Sequence, residues 1–414
     1  MLAMSWPFGA YLWGRTAAYL GFWAFVLVSS VVMYERTGSV TMVGLLTVAQ
    51  FVPQFVLTPA SGVLADRGHV ATLIVLGFGL TALGPGMLGV WILAADSVED
   101  LPGAWPILLA SLVVGVGFAI GSASTAAVVP ELVKPDELGS AVALNSVPLM
   151  LARAAGPAVG GGIAILAGPA YACLLAAALN LGCGVLMTAM RLPQRLGDGS
   201  GQSTALSVAV RYVWQDRRLL MVLVGVAALG LGAEPSVTLA PGIADRVGDA
   251  AKAGWVASAF GLGGVVGLVL LGPLRRRIRH ETGSGWGLLL MGGGLILVAL
   301  AATPRTALLG MALAGVGMTL AHANLATLVQ LLAPVDMRGR ITALWFLCWL
   351  GARPVGAILN GALADALGTG WAVIAVSIAV LTASGLCLWV WRAPGSPTGA
   401  VSGDSRAIKY HEEY

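Results

Sequence analysis

The sequence predicts an all-α integral membrane protein with twelve transmembrane helices, because its composition and its long apolar runs both suit a chain embedded in lipid. Hydrophobic residues make up 58% of the 414 residues and charged residues only 10%, whereas a soluble domain carries about 25% charged residues. The runs are apolar throughout and do not alternate, so they predict helices and not barrel strands. Each run spans about 20 residues, the length that an α-helix needs to cross a bilayer.

Twelve such runs follow one another, and each is predicted to form one membrane-spanning helix. The first run is too long for the core of a signal peptide, and no small-residue cleavage site precedes a polar mature sequence, so we expect it to be retained. The spans are predicted at approximately residues 14–34, 42–64, 70–94, 106–129, 140–165, 169–190, 218–240, 253–273, 285–302, 307–332, 341–364 and 371–391.

The positive charges are unequally divided between the two sides that twelve spans define. The side that carries both termini receives 17 of the 23 lysines and arginines, the other side receives four, and two lie within spans. Because cytoplasmic loops are enriched in Lys and Arg, both termini are predicted to be cytoplasmic. We therefore expect a monomer in the inner (cytoplasmic) membrane that contacts the lipid bilayer, and the modest net charge of +4 indicates no nucleic-acid partner.

The longest internal polar stretch, residues 191–217, separates six spans from six spans. The expected organisation is an N-terminal six-helix bundle at 1–190, a cytoplasmic linker at 191–217, a C-terminal six-helix bundle at 218–391 and a cytoplasmic tail at 392–414. The second part of the linker is predicted to form an amphipathic helix on the inner membrane surface, or alternatively an extension of span seven. The apolar face of this helix would consist of Leu206, Val210, Val213 and Trp214.

The two halves contain similar segments at corresponding places. The segments KPDELGSAVAL (134–144) and PVDMRGRITAL (334–344) both lead into the fifth span of their half. A second pair, GVLAD at the end of span two and GALAD at the end of span eleven, lies at opposite membrane faces, as an inverted repeat predicts. Internal repeats of this kind characterise secondary transporters.

Several segments resemble signatures of the major facilitator superfamily, and the resemblance covers almost the whole chain. GVLADRGH resembles the loop signature between spans two and three, and ARAAGPAVGGG (152–162) contains the GPxxGG core of the fifth-span motif of the exporter branches. VVPELVKPDELGSAVALNS and AVRYVWQDRRLL are similar to the enterobactin-exporter-like branch, whose members are bacterial efflux carriers. The resemblance implies two pseudo-symmetric bundles around a central cavity that opens to each side in turn.

Two segments depart from the superfamily pattern. Arg67 is followed by Gly68, His69 and Val70, so the basic residues that usually end this loop are missing. The fourth span contains no arginine, whereas many proton-coupled drug exporters carry one there. This second departure leaves an uncoupled facilitator or an importer open as alternatives to proton-coupled efflux.

Gly62, Asp66 and Arg67 are predicted to form a conformational gate. Asp66 ends span two and can accept backbone N–H groups at the N-terminus of a neighbouring helix, or pair with an arginine there. Either contact would close the cytoplasmic side and break when the bundles rock. Arg67 is expected to serve topology and lipid headgroups, and a charge pair that only marks the end of the span is the alternative.

The sequence shows no catalytic or metal-binding pattern. The four histidines are scattered, HExxH, CxxC and GxSxG motifs are absent, and no P-loop indicates the use of ATP. The four cysteines lie in apolar runs, where they are expected to be buried apolar side chains. We therefore expect no enzyme, no cofactor and no metal, and a carrier would have to be driven by a gradient.

Two arginines are expected within the membrane, Arg153 in span five and Arg353 in span eleven. An intramembrane arginine costs at least about 2.5–3.5 kcal/mol unless it faces protein or water. We predict that both form a substrate or counter-ion site in the cavity, which would favour an anionic or carbonyl-rich substrate; interhelical hydrogen bonding is the alternative. Helix kinks are predicted nearby, at Gly156, Pro157, Gly160, Gly161 and Pro354.

Acidic residues inside the spans are scarce, and Glu234 in span seven is the first candidate for a group that binds and releases the coupling proton. Glu35, at the outer end of span one, is the second candidate, and a solvated helix end is the alternative interpretation of both. Neutral polar residues in the spans could line the substrate pathway or form interhelical hydrogen bonds worth about 0.6 kcal/mol. Those predicted for the cavity are Gln50, Gln54, Asn145, His322, Asn324 and Asn360.

These observations predict a secondary active transporter that exports a small amphipathic molecule, such as a siderophore, drug or secondary metabolite, by proton antiport and alternating access. The alternatives are an uncoupled facilitator or importer, and a non-transporting membrane receptor or scaffold. A receptor would not need the loop signatures to recur in both halves, and an embedded enzyme would need a catalytic constellation.

Overall fold

The computed structural model describes residues 6–129, 132–134, 137, 141, 144–145, 147–190, 206–248, 252–275, 277–334 and 337–392. Within these ranges, no side chain is described for residues 59, 62, 63, 66, 122, 123, 126, 127, 147, 150, 206, 207, 275, 339 and 392. The predicted cytoplasmic tail beyond 392 and the first part of the linker lie outside the described residues.

The described residues form fourteen α-helices, and the first six follow the first six predicted spans. These six are α1 Phe8–Thr37, α2 Val40–Leu64, α3 Val70–Ala94, α4 Trp105–Ala127, α5 Val147–Ala167 and α6 Pro169–Ala189, with a π-helical turn at Ala65–His69 between α2 and α3. The other eight are α7 Leu206–Gln215, α8 Arg217–Ala233, α9 Ala240–Arg246, α10 Ala253–Arg275, α11 His280–Ala299, α12 Pro304–Leu332, α13 Arg338–Leu367 and α14 Thr369–Arg392.

Apolar composition and length together make these helices fit a membrane. Among the described residues, ten helices are long and apolar enough to cross it, and α4 and α5 contain shorter apolar stretches at Trp105–Gly121 and Leu151–Ala167. Only α7 and α9 do not correspond to a predicted span. The all-helical fold with twelve apolar helices that the sequence predicts is therefore confirmed.

The helices run alternately up and down, so the molecule has two ends. We call one end the linker side and the other the opposite side. The linker side contains Leu64, Ala189 and Arg217, and the opposite side contains Thr37, Ala167 and Leu367.

Two bundles form because each half buries its own apolar faces. In the N-terminal half, α3 packs against α4 and α6, and α1 packs against α5 and α6. In the C-terminal half, α12 packs against α10 and α11, and α14 packs against α8 and α11. In the described part of the chain, two helix pairs provide most of the contact between the bundles, α2 with α13 and α5 with α10.

Both junctions between the bundles depend on glycine. A Cβ atom on Gly44 of α2 would lie 2.5 Å from the carbonyl oxygen of Ala357 in α13. A Cβ atom on Gly261 of α10 would lie 2.4 Å from Cα of Ala154 in α5. Small residues let helix backbones approach closely in membranes, where packing replaces the hydrophobic effect as a source of association.

The positions predicted to kink spans five and eleven lie within continuous helices. Pro157 is internal to α5 and Pro354 is internal to α13. Gly156 and Gly160 face α1, and a Cβ atom on Gly160 would lie 2.8 Å from the α1 backbone. Gly161 faces α10 in the same way, at 3.1 Å. These glycines therefore provide close packing of α5 on both of its neighbours.

The amphipathic helix of the linker is a separate element and not an extension of span seven. Asp216, in an extended conformation, separates α7 from α8 and caps α8 by accepting from the backbone N–H groups of Arg218 and Leu219. The predicted apolar face is divided, because Val213 is buried against the C-terminal bundle while Trp214 is 71% exposed. Val210 is exposed as well, and the side chain of Leu206 is not among those described.

Candidate functional site

A cavity of about 760 Å³ lies between the two bundles. It is lined by α1, α2, α4 and α5 of the N-terminal half and by α10, α12 and α13 of the C-terminal half. The lining residues extend from the middle of the helices to the linker side. Its volume falls within the range of roughly 300–1,000 Å³ that small-molecule sites occupy.

A buried ion pair lies beside the cavity. Arg353, which lines the cavity, donates from Nε to Oε1 of Glu234 at 2.6 Å, and both side chains are almost fully buried. Glu234 is held where α8 ends and the 3₁₀ turn Glu234–Ser236 begins, and Pro235 in that turn prevents the α-helix from continuing regularly. The structure thus brings together the predicted coupling acid and one of the two predicted intramembrane arginines.

The ion pair also touches the N-terminal bundle. The hydroxyl of Thr238 donates to Oε2 of Glu234 at 3.0 Å, and Thr47 of α2 lies 3.3 Å from the same hydroxyl. The guanidinium carbon of Arg353 lies 4.1 Å from the ring centroid of Phe51, also in α2. The ion pair and its neighbour Thr238 therefore lie at the contact between the bundles.

Arg153, the other predicted intramembrane arginine, lines the same cavity without an acidic partner among the described residues. Its guanidinium carbon lies 5.2 Å from the ring of Trp23 and 5.4 Å from the ring of Phe260, so the charge is held by cation–π contacts from α1 and α10. Its Nη2 atom is buried and has no hydrogen-bond partner in the described part of the chain. Arg353 and Arg153 therefore share a cavity in different electrostatic surroundings.

His322 of α12 lines the cavity and belongs to an aromatic cluster with two tryptophans of α13. Its ring lies 5.1 Å from the ring of Trp345 and 5.2 Å from that of Trp349, both in α13. Edge-to-face arrangements at these distances are favourable for aromatic pairs. The cluster joins α12 to α13 on the linker side and leaves His322 and Trp349 facing the cavity.

The neutral polar residues predicted for the cavity are divided by the structure. Gln54 lines the cavity, as does His322, whereas Gln50 is buried beside Ser111 of α4 at 3.4 Å. The other three lie elsewhere: Asn145 accepts from the Tyr11 hydroxyl, Asn324 contacts His280 of α11 at 2.9 Å, and Asn360 is buried in α13. Their spacing within apolar spans could not distinguish cavity lining from helix-to-helix hydrogen bonding.

Glu35, the second predicted coupling acid, lies far from the cavity. It is an exposed residue near the end of α1 on the opposite side. Its neighbour Arg36 donates to the carbonyl oxygen of Leu101 at 3.1 Å and so ties this end of α1 to the following loop. The position fits the solvated helix end that the sequence also allowed.

Arg15 is a buried charge for which no site was predicted, since it entered the sequence analysis only as one of the positive residues that indicate orientation. It is 7% exposed and donates to the hydroxyls of Tyr11 and Tyr19 and to the Asn145 side chain. The tyrosines stand four residues before and after it in α1, so both rings lie on the same helix face as the guanidinium. That spacing in the sequence is the signal that could have identified it.

The gate residues predicted after span two are only partly described. Gly62 lies in α2 and Asp66 in the π-helical turn, but the Asp66 side chain is not among those described. Arg67 is exposed in the π-helical turn, which Gly68 closes with a φ of 90°. A glycine fits this position because it adopts a positive φ without steric cost.

The opposite side is closed by a carboxylate that the sequence indicated only through the GALAD repeat. Asp365, near the end of α13, accepts hydrogen bonds from the Ser39 hydroxyl at 2.6 Å and from the backbone N–H groups of Val40 and Thr41 at 2.8 and 3.0 Å. These are the first N–H groups of α2, where a negative charge is favourable. The contact joins the two bundles by the interaction that the sequence predicts for Asp66 at the other end.

Replacing Asp365 with alanine is expected to loosen the opposite side, because three hydrogen bonds between α13 and the start of α2 are lost. Loss of a helix cap costs about 1 kcal/mol. Spin labels at positions 99 and 305, on the two halves, should then show a longer distance distribution in pulsed EPR. Asp100→Ala is the control, since the hydrogen bonds of Asp100 described in the structure stay within its own loop, with Ser97. An unchanged distribution in the Asp365 variant would exclude it as a closing contact.

Two solved structures are similar to almost the whole chain. A bacterial homologue of the human lysosomal transporter Spinster, in an inward-facing and occupied conformation, has 14% sequence identity and a TM-score of 0.74, over 94% of this chain and 98% of that one. A POT family transporter in complex with 5-aminolevulinic acid has 12% identity and a TM-score of 0.72, over 92% and 95%. At these identities the likeness shows the fold. No curated protein matches the sequence.

The family model of transmembrane secretion effectors matches residues 7–404, nearly the full chain. This match agrees with the two bundles, the apolar helices and the cavity between them. It also agrees with the resemblance that GVLADRGH and ARAAGPAVGGG indicate. The chain therefore belongs to the transmembrane secretion effector family of the major facilitator superfamily, and it is a multi-pass membrane transporter and not an enzyme.

Proposed function

We propose that the protein exports a small amphipathic molecule across the cytoplasmic membrane by alternating access, with protons as the coupling ion. The observation that carries the proposal is the buried Glu234–Arg353 pair beside a cavity that both bundles line. Loss of the negative charge at Glu234 would remove the partner of Arg353, whose guanidinium packs on Phe51 of α2 where the bundles meet. Because one chain supplies both walls of the cavity, a monomer is sufficient for this activity.

The orientation in this proposal follows from the excess of Lys and Arg on the linker side, which makes that side cytoplasmic. The cavity extends toward this side, and the hydrogen bonds of Asp365 lie on the other. The structure then represents the inward-facing state. Export requires the Asp365 contacts to break and the linker side to close, and Asp66 would form the corresponding contact there.

Proton coupling in this proposal rests on the charges that surround Glu234. Arg353 pairs with it directly, while Arg153 and His322 line the same cavity. When Glu234 takes up a proton, Arg353 loses its counter-charge in a buried site, which is strongly unfavourable. A movement of α13 against α2 would relieve the uncompensated charge of Arg353. These helices meet at the pair, because Phe51 of α2 contacts Arg353 and Thr47 of α2 contacts Thr238.

Transport into inverted membrane vesicles tests the proposal directly. Vesicles with an acidic interior should accumulate at least one compound from a panel of siderophores, antibiotics and dyes, and dissipation of the pH gradient should release it. The enterobactin-exporter-like resemblance puts siderophores first in the panel. Uptake without any dependence on the gradient would favour a facilitator, uptake driven in the reverse sense an importer, and no flux at all a receptor or scaffold.

Replacing Glu234 with glutamine is expected to abolish accumulation against a gradient while downhill exchange of the same compound continues. Glutamine keeps the size of the side chain but cannot gain or lose a proton, so the coupling step is lost. Radiolabelled substrate uptake and counterflow in the same vesicles measure the two activities. Glu99→Gln, an exposed carboxylate in a loop of the opposite side, should behave as wild type. Normal accumulation by the Glu234 variant would remove it from the coupling mechanism.

A further inference from the structure

The wall of the cavity is rich in aromatic rings and poor in negative charge. Eight phenylalanine and tryptophan side chains line it, contributed by α1, α2, α4, α10 and α13. None of the described lining residues is acidic, whereas Arg153 and Arg353 are both among them. An apolar ring therefore has contacts on several sides, and the charged groups that a ligand meets on the described wall are positive.

The unsatisfied polar atoms around the cavity are of one kind. Nη2 of Arg153, Nη2 of Arg353 and Nε1 of Trp23 are buried without a hydrogen-bond partner in the described part of the chain. All three are N–H donors, and the three residues line the cavity. A ligand completes this site only if it supplies acceptor oxygens, because an unmade bond at a buried donor is costly.

The two arginines differ in how much of their charge is available. Glu234 neutralises Arg353 at 2.6 Å. Arg153 is flanked by the rings of Trp23 and Phe260 and forms no ion pair with the described residues; Glu234, already paired with Arg353, attracts it only at longer range. One positive charge is therefore left without a counter-charge, and a ligand with one negative charge balances it. A second negative charge would approach Glu234 and be repelled.

We propose that the substrate of this cavity is a planar aromatic monoanion, with its carboxylate or equivalent oxyanion at Arg153 and its rings against Trp23 and Phe260. The proposal rests on the proposed function, since it names the class of molecule that the transporter carries. The arginine supplies two parallel N–H groups that match an oxyanion, and the flanking rings pack against the flat body of the ligand.

Calorimetric titration of the whole protein in nonionic detergent tests the proposal with matched probes. The probes are 2-naphthoate, its neutral carboxamide 2-naphthamide, and the dianion naphthalene-2,6-dicarboxylate. We expect 2-naphthoate to bind at least about tenfold more tightly than either of the others, as a hydrogen-bonded charge pair provides. Equal binding of 2-naphthoate and 2-naphthamide would overturn the proposal.

Variants of Arg153 test whether the preference for 2-naphthoate depends on this residue. Arg153→Gln should lose the preference for 2-naphthoate over 2-naphthamide, and Arg153→Lys should keep part of it because the charge remains. Arg305→Gln, at an exposed arginine of the opposite side, should bind as wild type. If Arg153→Gln does not fold, Arg153→Lys and Trp23→Leu decide. A preference for 2-naphthoate in Arg153→Lys identical to that of wild type, together with unchanged 2-naphthoate affinity in Trp23→Leu, would place the anion elsewhere.

The binding assay and the vesicle assay fail independently. If the protein exports another compound but shows no preference for 2-naphthoate, the substrate class is wrong and the proposed function stands. If it prefers 2-naphthoate in an Arg153-dependent manner but moves nothing across vesicles, the anion site stands and the proposed function is wrong.

Discussion

Replacing Arg353 with methionine is expected to lower the free energy of unfolding by about 3–5 kcal/mol, because it leaves the Glu234 carboxylate buried without its partner. Glu234 is fully buried and, within the described part of the chain, keeps only the hydroxyl of Thr238 as a hydrogen-bond donor at its side chain. Glu234→Met should cost a similar amount, since it leaves the guanidinium of Arg353 uncompensated. Accumulation of substrate against a gradient should be lost in both variants.

The double variant distinguishes a mechanistic pair from a purely stabilising one. Replacing both partners of a buried pair with apolar residues is often neutral for stability, so Arg353→Met with Glu234→Met should melt close to wild type while remaining unable to accumulate substrate. Thermal unfolding in detergent and vesicle uptake measure the two properties. A double variant less stable than either single variant would contradict this account of the pair.

An exposed ion pair provides the control for this experiment. Arg279 and Glu281 form an ion pair at 3.7 Å in which the arginine side chain is 61% exposed. Exposed pairs contribute about 0–1 kcal/mol because water screens them and the long side chains lose entropy. Arg279→Met should therefore have little effect on the melting temperature, which separates the role of burial from the loss of an arginine as such.

Most of the fold could be predicted because membrane helices are specified locally. Twenty apolar residues predict a span whatever it packs against, so locating the spans needed no knowledge of neighbours. The boundaries were less accurate, since span seven was predicted at 218–240 and its helix α8 ends at Ala233. Charges within spans are similarly informative, because they are costly unless they serve a purpose. That argument identified Arg153, Arg353 and Glu234 individually, and the structure places all three at one site.

The pairing of these residues could not be predicted, because it depends on contacts between distant parts of the chain. Nothing local indicates that Arg353 bonds Glu234 while Arg153 is flanked by Trp23 and Phe260. For the neutral polar residues, the sequence also could not predict which side chain faces the cavity. Asn324 and His322 stand two positions apart in one helix, yet one contacts α11 and the other faces the cavity.

Asp365 illustrates a signal that was present in the sequence but insufficient. The GALAD segment matches GVLAD, and an inverted repeat assigns the two segments equivalent places at opposite ends. The contact with a helix N-terminus was predicted only for Asp66, and the repeat is the signal that could have extended that prediction to Asp365. The repeat could not identify that helix as α2, because the pairing of α2 with α13 arises only when the bundles meet.

Replacing Gly44 with leucine is expected to prevent the opposite side from closing, because the new side chain would occupy the space of the α13 backbone. Even its Cβ atom would lie 2.5 Å from the carbonyl oxygen of Ala357, and the backbone there cannot yield as a flexible side chain would. Overpacking of this kind costs about 1–3 kcal/mol. The closed state alone bears that cost, so the population should shift toward a state that is open on the opposite side, by about five- to 150-fold.

A cysteine at position 47 reports this shift. Thr47 is 2% exposed and contacts Thr238 across the junction, so a Thr47→Cys reporter should be protected from a membrane-impermeant maleimide in the background of an otherwise wild-type chain. With Gly44→Leu the same cysteine should react from the opposite side, and substrate transport should stop.

Two further glycines determine whether the effect is specific to the junction. Gly361 of α13 faces Thr41 of α2, where a Cβ atom would lie 2.6 Å from Cα, so Gly361→Leu should reproduce the result from the other bundle. Gly79 of α3 has open space around it, and Gly79→Leu should leave labelling and transport unchanged. If both junction variants transport normally and keep position 47 protected, the α2–α13 contact does not control access to the cavity. Labelling in both, with Gly79→Leu silent, would identify glycine-mediated closure of this junction as the step that separates the two states.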